Sequence, residues 1–138
     1  MDEYYFVDTS YIIALASKKD ENHNYAFETS KFIKNSKIKL LTSEFIIIEL
    51  CNSFSKSNLK NVVIDSVNSI YMDNSVEIIK LNGEYYQLGI ELFCKVKDKN
   101  WSLVDCISFE ILKAKNIKNV LTFDKHFVQA GFNLFTLN

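Results

Sequence analysis

Apolar positions along the chain fall into short runs separated by longer amphipathic stretches. YYFV near 4–7, KIKLL near 37–41, VEIIKL near 76–81, NVLTF near 119–123 and NLFTL near 133–137 predict strands. Between them, apolar residues at helical spacing predict helices near 22–35, 44–56, 58–72, 84–97 and 103–115. Strands separated by helices imply βαβ units, hence a central, mainly parallel sheet flanked by helices in a three-layer α/β/α arrangement. The 138 residues include no proline and three glycines, with no repeat or low-complexity tract to mark a linker. One domain over residues 1–138 is expected.

The run YYFVDTSYIIAL, residues 4–15, is interrupted by Asp8. A carboxylate at the edge of apolar packing is costly unless it is solvated, paired or bound to metal. In open α/β sheets the ligand site lies beyond the carboxyl ends of the strands, and the predicted strands 4–7 and 119–123 lead directly into Asp8 and Asp124. Both are expected on one rim. Two further acids interrupt apolar helical stretches: Glu49 in FIIIELC and Asp105 in WSLVDCISF.

Each acid also has a local explanation. Asp8 suits a turn, helped by Thr9 and Ser10. Glu49 lies opposite the stripe Ile46, Ile47, Leu50, Cys51 and Phe54, where water would solvate it. Ser102-Leu-Val-Asp105 matches a capping box. Asp124 suits a helix N-cap beside His126. All four are nevertheless flanked by apolar residues that draw them toward the strand ends.

Composition narrows the chemistry. The net charge is −1, and all sixteen basic residues are lysines, so contact with nucleic acid rests on a local patch of point charges that grip the backbone without reading bases. Cys51, Cys94 and Cys106 are far apart and odd in number, which predicts reduced, mostly buried thiols. No apolar run approaches the roughly 18 residues of a membrane span, and the acidic start MDEYYF is unlike a secretory signal. A cytoplasmic location is expected.

Three segments, FVDTSYIIAL, LLTSEFIIIEL and WSLVDCISFEILKAKNIKNVLTFDKHFVQAGF, resemble the PIN-domain ribonucleases found as VapC toxins in bacterial toxin–antitoxin pairs. The resemblance covers nearly the whole chain. It is most specific in the last segment, from Asp105 to Thr122-x-Asp124. It implies an endoribonuclease whose catalytic acidic quartet is Asp8, Glu49, Asp105 and Asp124, oriented by Thr122 and by Thr9 or Ser10. Glu49 is preferred to Glu44 because it precedes Leu50 in the family's Glu-Leu pair, and Asp98 is a candidate outer acid. The resemblance also implies an RNA substrate, a homodimer and a VapB-like antitoxin that covers the active site. The abundant aromatics, eleven Phe and seven Tyr, are either core filler or an apolar surface against another chain, of which Tyr85, Tyr86 and Phe93 would be part.

Simple electrostatics supports a metal at such a cluster. Two carboxylates about 6 Å apart at an effective dielectric of about 20 repel by about 3 kcal/mol. All-oxygen donors, without Cys or His at zinc spacing, point to Mg²⁺ or Mn²⁺. Asp8 and Asp105 are the expected main ligands, Asp124 supports them or holds a second ion, and Glu49 activates water. His126 is assigned to fixing its turn, His23 to a helix start and Trp101 to a core or interface plug. The alternative is a non-catalytic PIN-type module that binds RNA or assembles with partners, which would lose one or more acids; all four are present. A haloacid-dehalogenase-type phosphatase requires a second Asp at position 10, occupied here by Ser10. A receiver domain requires an early acid pair and a phosphorylated Asp on a central strand, an order absent here.

Overall fold

Five short strands pair side by side, all parallel, in the order β3-β2-β1-β4-β5. The computed structural model describes residues 2–137. In chain order the elements are β1 (Tyr4–Val7), α1 (Thr9–Ala16), α2 (His23–Lys34), β2 (Lys39–Ser43), α3 (Glu44–Phe54), α4 (Lys60–Met72), β3 (Val76–Ile79), α5 (Gly83–Lys95), α6 (Leu103–Lys115), β4 (Asn119–Leu121), α7 (His126–Gln129) and β5 (Asn133–Leu134). The expected α/β/α architecture holds. β2 begins and ends two residues later than KIKLL suggested, and β3, β4 and β5 stop short of their apolar runs.

Two helices have no counterpart in the periodicity. No residue of α1 is exposed, so TSYIIALA lacks the polar face that marks an amphipathic helix and reads as a continuation of the strand before it. The single turn of α7 is too short to show a period at all.

Progression from β1 through β2 to β3 runs one way across the sheet, and the return to β4 and β5 runs the other. Right-handed crossovers therefore place α5 and α6 on the face opposite the earlier helices. Helix α3 touches α1 and α4 as well as α6, bridging the two layers. The core between them is built on Phe6, Leu41, Ile46, Leu50, Ile111 and Val120, each at most 2% exposed. Helices α5 and α6 approach closely at Gly89, where an added Cβ would collide with Ile107 Cγ1 and stand 3.0 Å from its Cα. Asn116, with φ of 54°, ends α6 in the left-handed conformation that Asn tolerates.

Two expectations about surface residues change. Cys51 and Cys94 are exposed and only Cys106 is buried. On α5, Tyr86 and Phe93 are exposed seven residues apart on one face, whereas Tyr85 packs against the core. Trp101 is indeed a plug, edge-on to Phe109 at 5.0 Å with its Nε1 donating to Gln129 at 3.0 Å. A cleft of about 750 Å³, lined by Tyr11, Ile12, Ile33, Leu40 and Ile70 among others, opens beside α1, α2 and α4. Among the described residues no helix is long and apolar enough to cross a membrane.

Candidate active site

The sheet reverses its progression between β1 and β4, and this switch point is where a doubly wound fold opens a crevice. Val7 lies opposite Leu121 in register, and the Asp8 amide donates to the Leu121 carbonyl at 3.1 Å. The next residues along each strand, Asp8 and Thr122, therefore meet. The Thr122 hydroxyl donates to Asp8 Oδ2 at 2.7 Å, and the Ser10 hydroxyl approaches the same oxygen at 3.2 Å. The amides of Phe123 and Asp124 in turn donate to the Ser10 and Thr122 hydroxyls, which fixes the loop after β4.

Asp8 is 4% exposed. Burial, only partly opposed by the Thr122 hydroxyl and the Thr9 amide, pushes its pKa up to about 6, and the Glu49 and Asp105 carboxylates push in the same direction. Glu49 is half-buried on α3, facing away from water more than its helical stripe suggested, and its Oε1 accepts from the Thr9 hydroxyl. Burial raises its pKa too, against the Thr9 hydrogen bond and with the Asp105 and Asp124 carboxylates adding to the rise. Thr9 and Ser10 thus both orient acids, one each.

Asp105 occupies the first turn of α6, where the Ser102 capping box forms in full: the Ser102 amide donates to Asp105 Oδ2 at 3.0 Å, and the Asp105 amide donates to the Ser102 hydroxyl at 3.0 Å. Cap and cleft acid are the same residue. Asp124 receives the amide of His126 on Oδ1 at 2.9 Å. A cleft of about 380 Å³ is lined by all four acids, together with Ser102 and His126 among others.

The four predicted carboxylates therefore converge. Glu44 does not join them: it accepts from the Leu81 amide and the Tyr71 hydroxyl. Nor does Asp98, whose side chain is 82% exposed beside Lys99. His126 is the residue that its sequence context understated. It does fix the turn, yet its Nδ1 also lies 2.9 Å from Asp105 Oδ2 and 3.2 Å from Asp124 Oδ1. The LTFDKHF string gives its position but not this contact, which depends on α6 meeting α7 in the fold.

Among the described residues no lysine lies within ion-pair distance of the four acids. Atoms of Asp105, Asp124 and His126 lie within 4.8 Å of one another, the spacing of ligands around one divalent ion. Asp8 stands outside this tightest group but lines the same cleft. An uncompensated carboxylate cluster with such a donor set fits a divalent cation.

The PIN domain family model matches residues 5–133. This chain belongs to the PIN domain family. The 23S rRNA-specific endonuclease VapC20 of Mycobacterium tuberculosis is 26% identical over 128 residues, spanning 92% of this PIN domain and 94% of the relative. The crystal structure of that VapC20, described as a sarcin-ricin loop cleaving toxin, superposes with a TM-score of 0.82 at 22% identity, covering 94% of this chain and 96% of the other. The DNA-bound VapBC2 structure from Rickettsia felis gives 0.65 at 20% identity over 96% and 97%. These structures share the fold described above.

Proposed function

We propose that this PIN domain is a divalent-metal-dependent endoribonuclease of the VapC toxin type, acting in the cytoplasm on RNA phosphodiester bonds. One observation carries the reading: four carboxylates from separate parts of the chain meet in one cleft, and among the described residues no lysine is within ion-pair distance of them. Such an arrangement opposes folding and repels RNA, and it is tolerable where a cation is held.

Asp8, Asp105 and Asp124 are the ligands we assign to Mg²⁺ or Mn²⁺. When bound, such an ion lowers the pKa of a coordinated water and offsets charge on the phosphoryl oxygens during in-line attack. The rest is done by side chains. The Ser102 amide donates to Oδ2 of Asp105, the His126 amide donates to Oδ1 of Asp124, and the Thr122 and Ser10 hydroxyls both meet Oδ2 of Asp8. These bonds orient the three carboxylates and leave lone pairs on each for a ligand. Glu49, whose pKa burial raises and whose carboxylate Thr9 tethers, is the group we assign to accept a proton from the attacking water. Thr122 and Thr9 are the supporting residues.

The test is cleavage of end-labelled RNA, with 23S rRNA fragments first because the curated relative acts on that RNA. Wild type should cut with Mg²⁺ or Mn²⁺ and stop with EDTA, and Asp105→Asn should be slower by at least about 100-fold. Cleavage that survives both treatments refutes the reading. RNA bound but never cut with any metal would favour a binding module instead.

The VapBC complexes among the structural neighbours support a VapB-like antitoxin as partner. The cleft beside α1, α2 and α4 offers apolar surface for such a chain, and the exposed Tyr86 and Phe93 offer surface for a homodimer. Co-expression with a short neighbouring reading frame should yield a complex in which cleavage is suppressed. Full activity in its presence would remove the antitoxin assignment.

A further inference from the structure

We propose that His126 is a nitrogen ligand of the metal in this site, completing a set with Asp105 and Asp124 and turning the site from a general Mg²⁺ centre into one that favours Mn²⁺. The inference rests on the metal-dependent reading of the acid cleft and deepens it.

Three observations support it. The ring nitrogen Nδ1 lies between two carboxylates that come from different elements, 2.9 Å from Asp105 Oδ2 and 3.2 Å from Asp124 Oδ1. These three residues, not the acids alone, make the tightest cluster of possible donors, with ligand atoms within 4.8 Å of one another. Ligands about 2.0–2.2 Å from a common ion are separated by up to about 4.4 Å, so little movement is needed to surround one, and the ion would take the place of the proton that Nδ1 shares with Asp105 in the metal-free protein, that proton being released to solvent. The third observation is rigidity. The His126 amide is held by Asp124 at 2.9 Å, and Phe127 beside it is fully buried against Phe109, ring centroids 5.1 Å apart. The imidazole is thus anchored at its backbone on both sides. The other histidine, His23, hydrogen-bonds the Ala14 carbonyl through Nδ1, at the far end of α1 from Asp8.

An imidazole donor matters for metal choice. Mg²⁺ is a hard cation that takes oxygen ligands and keeps its waters, while transition ions gain from nitrogen. Replacing His126 should therefore weaken Mn²⁺ binding far more than Mg²⁺ binding.

The experiment uses the full chain loaded with Mn²⁺ and read by pulsed electron paramagnetic resonance, with affinities from calorimetry. Wild type should show ¹⁴N coupling to the manganese that is absent in His126→Gln. That variant should bind Mn²⁺ about tenfold or more weakly, with Mg²⁺ affinity reduced less than about threefold. The control is Asp105→Asn, which should lose Mn²⁺ affinity as well. Mn²⁺ that binds wild type, depends on Asp105 and shows no nitrogen coupling overturns the His126 assignment and leaves the carboxylate site standing. Mn²⁺ binding unaffected by Asp105→Asn, or absent from wild type, overturns both.

Discussion

Asp8→Asn should make the metal-free protein more stable at neutral pH while abolishing its activity. The Asp8 carboxyl has a pKa of about 6 in the fold against 3.8 ordinarily, chiefly because it is buried. Between these two values the unfolded chain gives up the Asp8 proton while the folded chain keeps it. The folded state then binds more protons, so stability falls as pH rises through this window. The loss is absent below about pH 3.8, complete somewhat above pH 6, and amounts to about 3 kcal/mol for a shift of about two units. Asparagine has no charge to bury and can still accept from Thr122, although its amide group must find an acceptor. A net gain of about 1–2 kcal/mol at pH 7.5 is expected after that cost. The assay is urea denaturation of both proteins in EDTA from pH 4 to pH 8. The difference between them cancels the titrating groups that do not interact with Asp8, leaving Asp8 and its coupling to Glu49 and Asp105. At pH 4 the variant should be less stable by about 1–2 kcal/mol, the cost of its amide group; the difference should change sign between pH 4 and pH 6 and then level off as a net gain. A variant that is less stable than wild type by the same amount at every pH would refute the reasoning, because Asp8 would then carry no burial penalty.

Two further outcomes follow from particular contacts. Thr122→Val removes the donor that holds the Asp8 pKa down, so cleavage at pH 7 should fall by about 10–100-fold and the acid limb of its pH–rate profile should move to higher pH; an unchanged profile would mean that Thr122 does not tune Asp8. Gly89→Ala should destabilise by about 1–3 kcal/mol in urea denaturation despite the better helix propensity of alanine, because its Cβ would meet Ile107 backbone as well as side chain. A more stable Gly89→Ala would show that α5 and α6 are farther apart.

What the chain discloses before folding depends on whether the signal is local. YYFV is an uninterrupted apolar tetrad and its strand is read to the residue, while α1, apolar all round and joined to that strand through Asp8, leaves no period to detect. The acids are visible because each breaks an apolar run, and the motif spacing links them. Their local explanations turn out to be compatible with the site: Asp105 is both cap and cleft acid, and Asp124 both holds the His126 amide and lines the cleft. His126 is different. Its contact with Asp105 spans 21 residues and is created by two helices meeting, which no short window contains. The exposure of Cys51 and Cys94 was hidden for a similar reason, since it depends on how the helices pack against one another. The local conflict that remains, a buried aspartate whose environment resists its charge, lies at the site where chemistry requires one.

Crystals soaked in Mn²⁺ and measured at a wavelength where manganese scatters anomalously would locate the ion itself. An anomalous peak is expected in the cleft, within about 2.5 Å of carboxylate oxygens of Asp105 and Asp124 and close to Asp8, and none in crystals of Asp105→Asn. A fully soaked crystal with no peak in that cleft, or with manganese bound only elsewhere on the surface, would contradict the carboxylate metal site.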